Sequence, residues 1–199
     1  IDLEDPETRD RQIREIVKQQ TAVLSDRGAP LRRDLRERLG DVAARAAGAG
    51  GQVMAYLLLP GQEAALALNL TLYWHDLGPQ AGGTSHLGRI DDRLHPGLGP
   101  DDALTRTETM SGPFLRHVRV TRGAEDVGGQ DVALLLIDYW AEAPGGQSVV
   151  RLAFSTPHVE IRDAMLGLTD KVLFATEWLM SEPDADPAKE VEPTPSPAR

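Results

Sequence analysis

The chain has no cysteine. That excludes disulfides, thiolate nucleophiles and cysteine-ligated metals, while leaving the redox compartment unassigned. Lysine is almost as scarce: only three of the 21 basic residues are Lys, at 18, 171 and 189. With heavy use of Ala, Gly, Leu and Asp, this bias suggests a GC-rich genome such as an actinobacterium's, an inference about codons and not about function. No apolar run approaches the roughly 20 residues needed to cross a bilayer, and no basic-then-apolar secretory segment opens the chain. Positive charge is in short supply as well. The formal net charge of −10 disfavours generic binding to a phosphate backbone or docking on anionic lipid. A cytoplasmic location is the expectation, with a start at Ile1 in place of Met leaving an upstream targeting segment open.

The 199 residues, 41% hydrophobic and 26% charged, have the balance of one soluble globular domain with a core that needs no staples. Charge is unevenly spread. Residues 1–47 carry ten acids and ten bases, and the last twenty carry five acids and two bases. The expected organisation is a single domain over 1–181, comprising a helix pair in 1–47 and a sheet plus C-terminal helix in 52–179. Residues 182–199, with Pro at 183, 187, 193, 195 and 197, read as a disordered acidic tail.

Asp5-Pro6 is a helix start, an N-cap followed by proline at the first helical position. Ile13, Ile16, Val17, Gln20 and Leu24 then share one face. After Gly28-Ala29-Pro30, a second helix carries Leu31, Leu35, Leu39, Val42 and Ala46 in a stripe that ends at Gly48, Gly50 and Gly51. The period then changes to two. Gln52–Leu59 and the alternating Leu66, Leu68, Leu70 and Leu72 predict a hairpin turned at Pro60-Gly61. Residues 76–103 predict a long loop with a short helix at Ser85–Leu94. Strands follow at Thr105–Met110, Pro113–Arg122, Asp131–Glu142 and Ser148–Phe154. The third of these is apolar on both faces and so belongs inside the sheet. A helix over Pro157–Leu179 closes the domain, with Ile161, Met165, Leu168, Val172, Ala175 and Leu179 on its stripe. This order is neither alternating nor all-β. It predicts an α+β fold, a mainly antiparallel sheet of five to six strands flanked by the helix pair and a long C-terminal helix.

The stretch Ser155-Thr156-Pro157-His158, at the last strand-to-helix turn, gathers groups that could react. A catalytic reading makes Ser155 a nucleophile and His158 its base, but the G-x-S-x-G elbow is missing and no aspartate is placed to orient the imidazole. The structural reading gives each residue work in the joint: Thr156 as N-cap, Pro157 in the first turn, and Glu160 against the positive end of the helix. The structural reading is preferred. In SHLGRIDDRLH, the residues His86, Asp91, Asp92 and His95 have helical spacings that could hold zinc or iron. A polar helix with Leu87, Ile90 and Leu94 inward explains the same residues, and Pro96 disfavours helix at His95. Asp101 and Asp102 read as a solvated turn, and Asp138 as a perturbed carboxylate or, preferred, as the partner of an arginine or a turn cap. His117 and Arg119 share a strand face as an anion site or, preferred, a solvent face. Glycines 97, 99, 128, 129, 145 and 146 match no phosphate cradle. Trp74, Trp140 and Trp178 suit core closure. No catalytic, cofactor-binding or metal residue is assigned.

The strand ending Phe154-Ser155-Thr156-Pro157, the helix running on to Trp178 and the opening IDLEDPETRDRQIREIV together resemble a widespread actinobacterial group. The fold associated with that group is the Mog/PsbP-like α/β/α sandwich. The resemblance implies helices flanking an antiparallel sheet and non-enzymatic binding proteins as relatives, some of them accessory components of specialised secretion systems or the cell envelope. Its lipoprotein members depend on a lipobox cysteine, which this chain lacks. The functional expectation is a non-enzymatic protein-interaction or accessory module whose partner is another protein, bound through the helix pair or the 76–103 loop. The alternatives are a carrier of a small apolar ligand and a metal-dependent hydrolase built on His86, Asp91 and His95.

Overall fold

The computed structural model describes residues 1–22, 28–59, 66–80, 82–122 and 132–179. Helix α1 spans Pro6–Gln20, and the Asp5 carboxylate caps it by accepting from the N–H groups of Glu7 and Thr8. Helix α2 spans Ala29–Gly48 and is followed by Gly50 at φ +84°, a left-handed turn that glycine adopts without strain. The strands are β1 (Gly51–Leu59), β2 (Leu66–Asp76), β3 (Ala103–Thr109), β4 (Gly112–Arg122), β5 (Ala133–Glu142) and β6 (Ser148–Thr156). Helix α3 (His86–Leu94) lies between β2 and β3 in sequence, and α4 (Arg162–Phe174) closes the series. The predicted Pro60-Gly61 turn, Leu24, Gly128, Gly129, the predicted strand start at Asp131 and the 182–199 tail lie outside the described residues.

All six strands form one antiparallel sheet in the order β1-β2-β6-β5-β4-β3. The α+β fold is therefore as expected, and β5 lies inside the sheet between β6 and β4. Directly paired residues share a face. The row Leu70–Phe154–Ile137–Val118–Ala103 runs across one side. That side is covered by α4, whose Met165 and Leu173 join Phe114, Val118, Ile137 and Phe154 in the larger core. The row Met54–Thr71–Ala153–Asp138–His117 crosses the other side. There α1 and α2 cover Met54 through Ile13, Val17, Leu39 and Ala43, while α3 packs over β5 and β4.

The C-terminal element differs from its prediction. The strand β6 runs on to Thr156, which pairs with Leu135. Its hydroxyl donates to the Ala67 carbonyl at 2.7 Å and accepts from His158 N–H at 3.2 Å. Thr156 thus ends a strand and does not cap the helix, and α4 starts at Arg162 after a 3-10 turn at Val159–Ile161 without a side-chain cap. Sheet pairing and a tertiary hydrogen bond outweigh the local capping signal. The helix also stops early, at Phe174. The Ser111 hydroxyl donates to the Thr176 carbonyl and the Trp178 indole to the Ser111 carbonyl, so residues 176–178 are held on the β3–β4 turn. The buried face of α4 is Met165, Thr169 and Leu173, whereas Leu179 is exposed. On α2, Leu31 at the start of the predicted stripe is likewise exposed.

Candidate functional site

Two interior strands each carry a charge in the middle of an apolar run: Asp138 on β5 and Arg151 on β6. The register makes Asp138 face Ala153 on one side and His117 on the other. Arg151 and Arg119 sit two residues from those partners, on the same face, and reach Asp138 diagonally. Asp138 is 2% exposed. Its Oδ2 accepts from Arg119 Nη1 at 2.7 Å and its Oδ1 from Arg151 Nε at 2.9 Å. A buried carboxylate needs such partners, because taking it out of water unpaired is costly. Two cations for one anion leave the trio with one net positive charge.

Arg151 is also fixed from above and below. Its guanidinium carbon lies 5.1 Å from the Tyr73 ring centre and 5.0 Å from that of Trp140. His75 continues this ladder, stacked 6.2 Å from Tyr73 and 6.4 Å from Trp140. The aromatic ring quadrupole attracts the cation and holds its plane without consuming its N–H donors. Because Thr71 and Ala153 are small, the sheet beside the C-terminal end of α2 is not filled. A groove of about 330 Å³ remains, with Asn69, Thr71, Asp138, Arg151, Ala153 and Ser155 on its floor. Val42, Arg45 and Ala46 of α2 form a wall. Arg45 is exposed, and its guanidinium makes no ion pair or hydrogen bond among the described residues.

His117 extends the network toward α3. Its Nδ1 accepts from Arg119 Nη1 at 3.0 Å, since a guanidinium can only donate, and this places the ring proton on Nε2. That Nε2 lies 3.8 Å from Asp102 Oδ2, too far for a hydrogen bond, and is buried without a partner among the described residues. Asp102 itself accepts from Gly99 N–H at 2.9 Å. Burial, and then the Arg119 charge, lower the His117 pKa against the opposing pull of Asp138 and Asp102. The folded protein therefore binds this proton less readily than the unfolded chain. Stability should be unaffected by this group above its ordinary value of about 6.5, and should fall as pH drops below it. Chemical denaturation at pH 7.5 and pH 5 should show a loss at the lower pH that His117→Gln reduces. An unchanged pH dependence in that variant would remove His117 as the cause.

The sequence candidates are distributed differently. His117 and Arg119 share a face as expected, but His117 is buried and the face is the groove's margin instead of open solvent. Asp138 has its expected arginine partner, twice over. His86 is turned inward at 1% exposure. Its Nδ1 accepts from Arg89 and its Nε2 donates to the Gly78 carbonyl, so neither ring lone pair is free for a metal. Asp91 is bound to Arg106 Nη2 at 2.9 Å, and His95 is exposed in the 3-10 turn that follows α3. Among the described residues, no group of three or more His, Asp and Glu is spaced to hold a metal.

Ser155 and His158 part company at the joint. Ser155 lines the groove. The His158 Nε2 accepts from Ala67 N–H at 3.1 Å, and its Nδ1 meets Glu160 Oε1 at 3.3 Å. An imidazole bound to a backbone amide in this way has no lone pair left to take a serine proton. Trp178 packs edge-to-face on Trp74 with ring centres 6.2 Å apart, whereas Trp140 lies against the Arg151 guanidinium.

Sequence reasoning missed Arg45, Asn69, Thr71, Tyr73 and Arg151. A signal existed for Arg151 alone: a single arginine inside the apolar Val149–Phe154 run, in a strand that neighbours the one carrying Asp138. No family model, curated protein or solved structure matches this chain.

Proposed function

We propose that this protein is a non-enzymatic interaction module that receives a segment of a partner protein in the groove between the C-terminal end of α2 and the sheet. The observation that carries the reading is the state of the polar groups around it. Asp138 is neutralised by two arginines, His158 is bound to a backbone amide, and His117 gives its lone pair to Arg119, while the groove beside them stands open. A site prepared for acid–base or nucleophilic work keeps a proton acceptor within reach of a reacting atom. Here the charges fix donors in place, which suits recognition. The accessory role suggested by the terminal signatures, in secretion or at the cell envelope, agrees with this reading and rests on those signatures alone.

A second reading, a carrier of a small ligand, is favoured by one observation: the groove's volume of about 330 Å³ is that of small-molecule sites, which begin at about 300 Å³.

A photo-reactive benzoylphenylalanine at Ser155 should crosslink a defined partner in extract of the native host. The same residue at the fully exposed Met110 should not, and Ala153→Trp, which fills the groove, should abolish the Ser155 product. Equal labelling from both positions would overturn the reading. So would a hydrolytic turnover that Ser155→Ala removes.

A further inference from the structure

We infer that the group entering the groove is a carboxylate, carried on the side chain of an extended acidic segment of the partner. The inference rests on the groove being the recognition surface, and it adds the chemistry of what is recognised. Arg119, Arg151 and Arg45 line the cavity, and Asp138 supplies the one opposing carboxylate there. Arg119 and Arg151 each spend donors on Asp138 from one side of the guanidinium and keep others. Their side chains line the cavity and retain 30% and 26% exposure. Arg45 keeps all of its own. Guanidinium forks match carboxylates in shape, and those of Arg119 and Arg151 are oriented before the ligand arrives, which lowers the cost of ordering them.

One feature selects a single carboxylate over a phosphate dianion. The wall supplied by α2 is its last two turns, Val42, Arg45, Ala46 and the following Ala49. That is the carbonyl end of the helix, where the macrodipole is negative; it opposes a dianion more than a monoanion and offers none of the free N–H groups that phosphate sites use. A further feature selects a peptide over a fatty acid. Asn69 Oδ1, on the floor, is buried and lacks a donor among the described residues. A peptide carries N–H donors that could meet it, and an alkyl chain has none. Val42, Ala46, Leu136 and Ala153 then accept the aliphatic stem.

The test uses the whole chain, isotope-labelled, with arginine Nε–H and Trp140 indole resonances as the readout. Acetyl-Ala-Glu-Ala-amide should shift the Arg119 and Arg151 signals saturably. The Gln counterpart should bind at least tenfold more weakly, and Arg45→Glu should weaken the Glu peptide at least tenfold. Lys18→Glu, on α1 outside the groove, should leave it unchanged. Arg45 is exposed on a helix surface, so the variant's fold can be verified by its melting curve before titration. Equal binding of the Gln peptide, tighter binding of inorganic phosphate or pentanoate, or no saturable shift in any arm would each overturn the inference. Failure here with the Ser155 crosslink intact removes the carboxylate alone. Loss of both removes the binding-module reading beneath it.

Discussion

Replacing Asp138 with alanine will destabilise the protein by about 3 kcal/mol, measured by urea denaturation at neutral pH. The carboxylate is 2% exposed and accepts from two guanidiniums. Removing it leaves Arg119 and Arg151 on one sheet face with their mutual repulsion uncompensated and their Nη1 and Nε donors unpaired. Breaking a buried pair from one side costs about 3–5 kcal/mol, and the lower end applies because both arginines retain about a quarter of their side-chain exposure. Asp138→Asn tests which part of the loss is charge: it keeps one acceptor oxygen and the shape, so it should also destabilise, by less than alanine. The comparison that isolates the buried-charge penalty is a triple replacement, Arg119→Leu, Asp138→Leu and Arg151→Met. An apolar trio of similar volume should recover most of the lost stability, since an ion cluster in a sheet gains little over hydrophobic packing. The same triple variant should bind no acidic peptide. If stability returned and binding survived, the trio would be a structural device and the groove's recognition would lie elsewhere. A loss below 1 kcal/mol for Asp138→Ala would mean that solvent reaches the arginines freely.

Much of the fold was legible because its determinants are local. Asp5-Pro6 reports a helix start without reference to the rest of the chain, and the two-residue period of Leu66–Leu72 reports a half-buried strand by itself. Asp138 with an arginine was legible for a related reason: a carboxylate inside an apolar strand has few stable alternatives. The joint at Thr156 was misread because its signals are local and the competing forces are not. Threonine before proline is a good cap in isolation, yet the Ala67 carbonyl and the Leu135 pairing are 89 and 21 residues away in sequence. The groove was invisible for the same reason. It exists because Thr71, Ala153 and Asp138 align across three strands beside the end of α2, and no periodicity within one segment encodes that alignment. Sheet register, which the sequence does not declare, turns scattered residues into a site.

Phe154→Ala should cost about 4 kcal/mol, in the range of a fully buried aromatic truncation. Phe154 is 2% exposed and central to the core beneath α4. It lies in a direct row with Leu70 and Ile137 and meets Tyr139 edge-to-face, ring centres 5.8 Å apart. Truncation therefore removes the buried ring surface, leaves a cavity the sheet cannot close because its backbone is pinned on both sides, and forfeits an aromatic contact. Tyr139 is committed elsewhere and cannot move into the gap. Its hydroxyl is bound to Thr169 at 2.9 Å and to Asp170 at 2.6 Å, and Asp170 also holds Arg116 at 2.9 Å. At about 2–4 °C per kcal/mol for a domain of this size, the melting temperature should fall by roughly 8–16 °C. Phe154→Leu, which keeps most of the volume, should cost no more than about 1.5 kcal/mol. The neighbouring Ser155→Ala tests the other side of the same strand. Its side chain faces the groove and not the core, so stability should stay within about 0.5 kcal/mol of the parent. That alternation puts a core anchor on one side of this strand and the groove lining on the other. A large loss for Ser155→Ala with a small one for Phe154→Ala would reverse the assignment of the two faces.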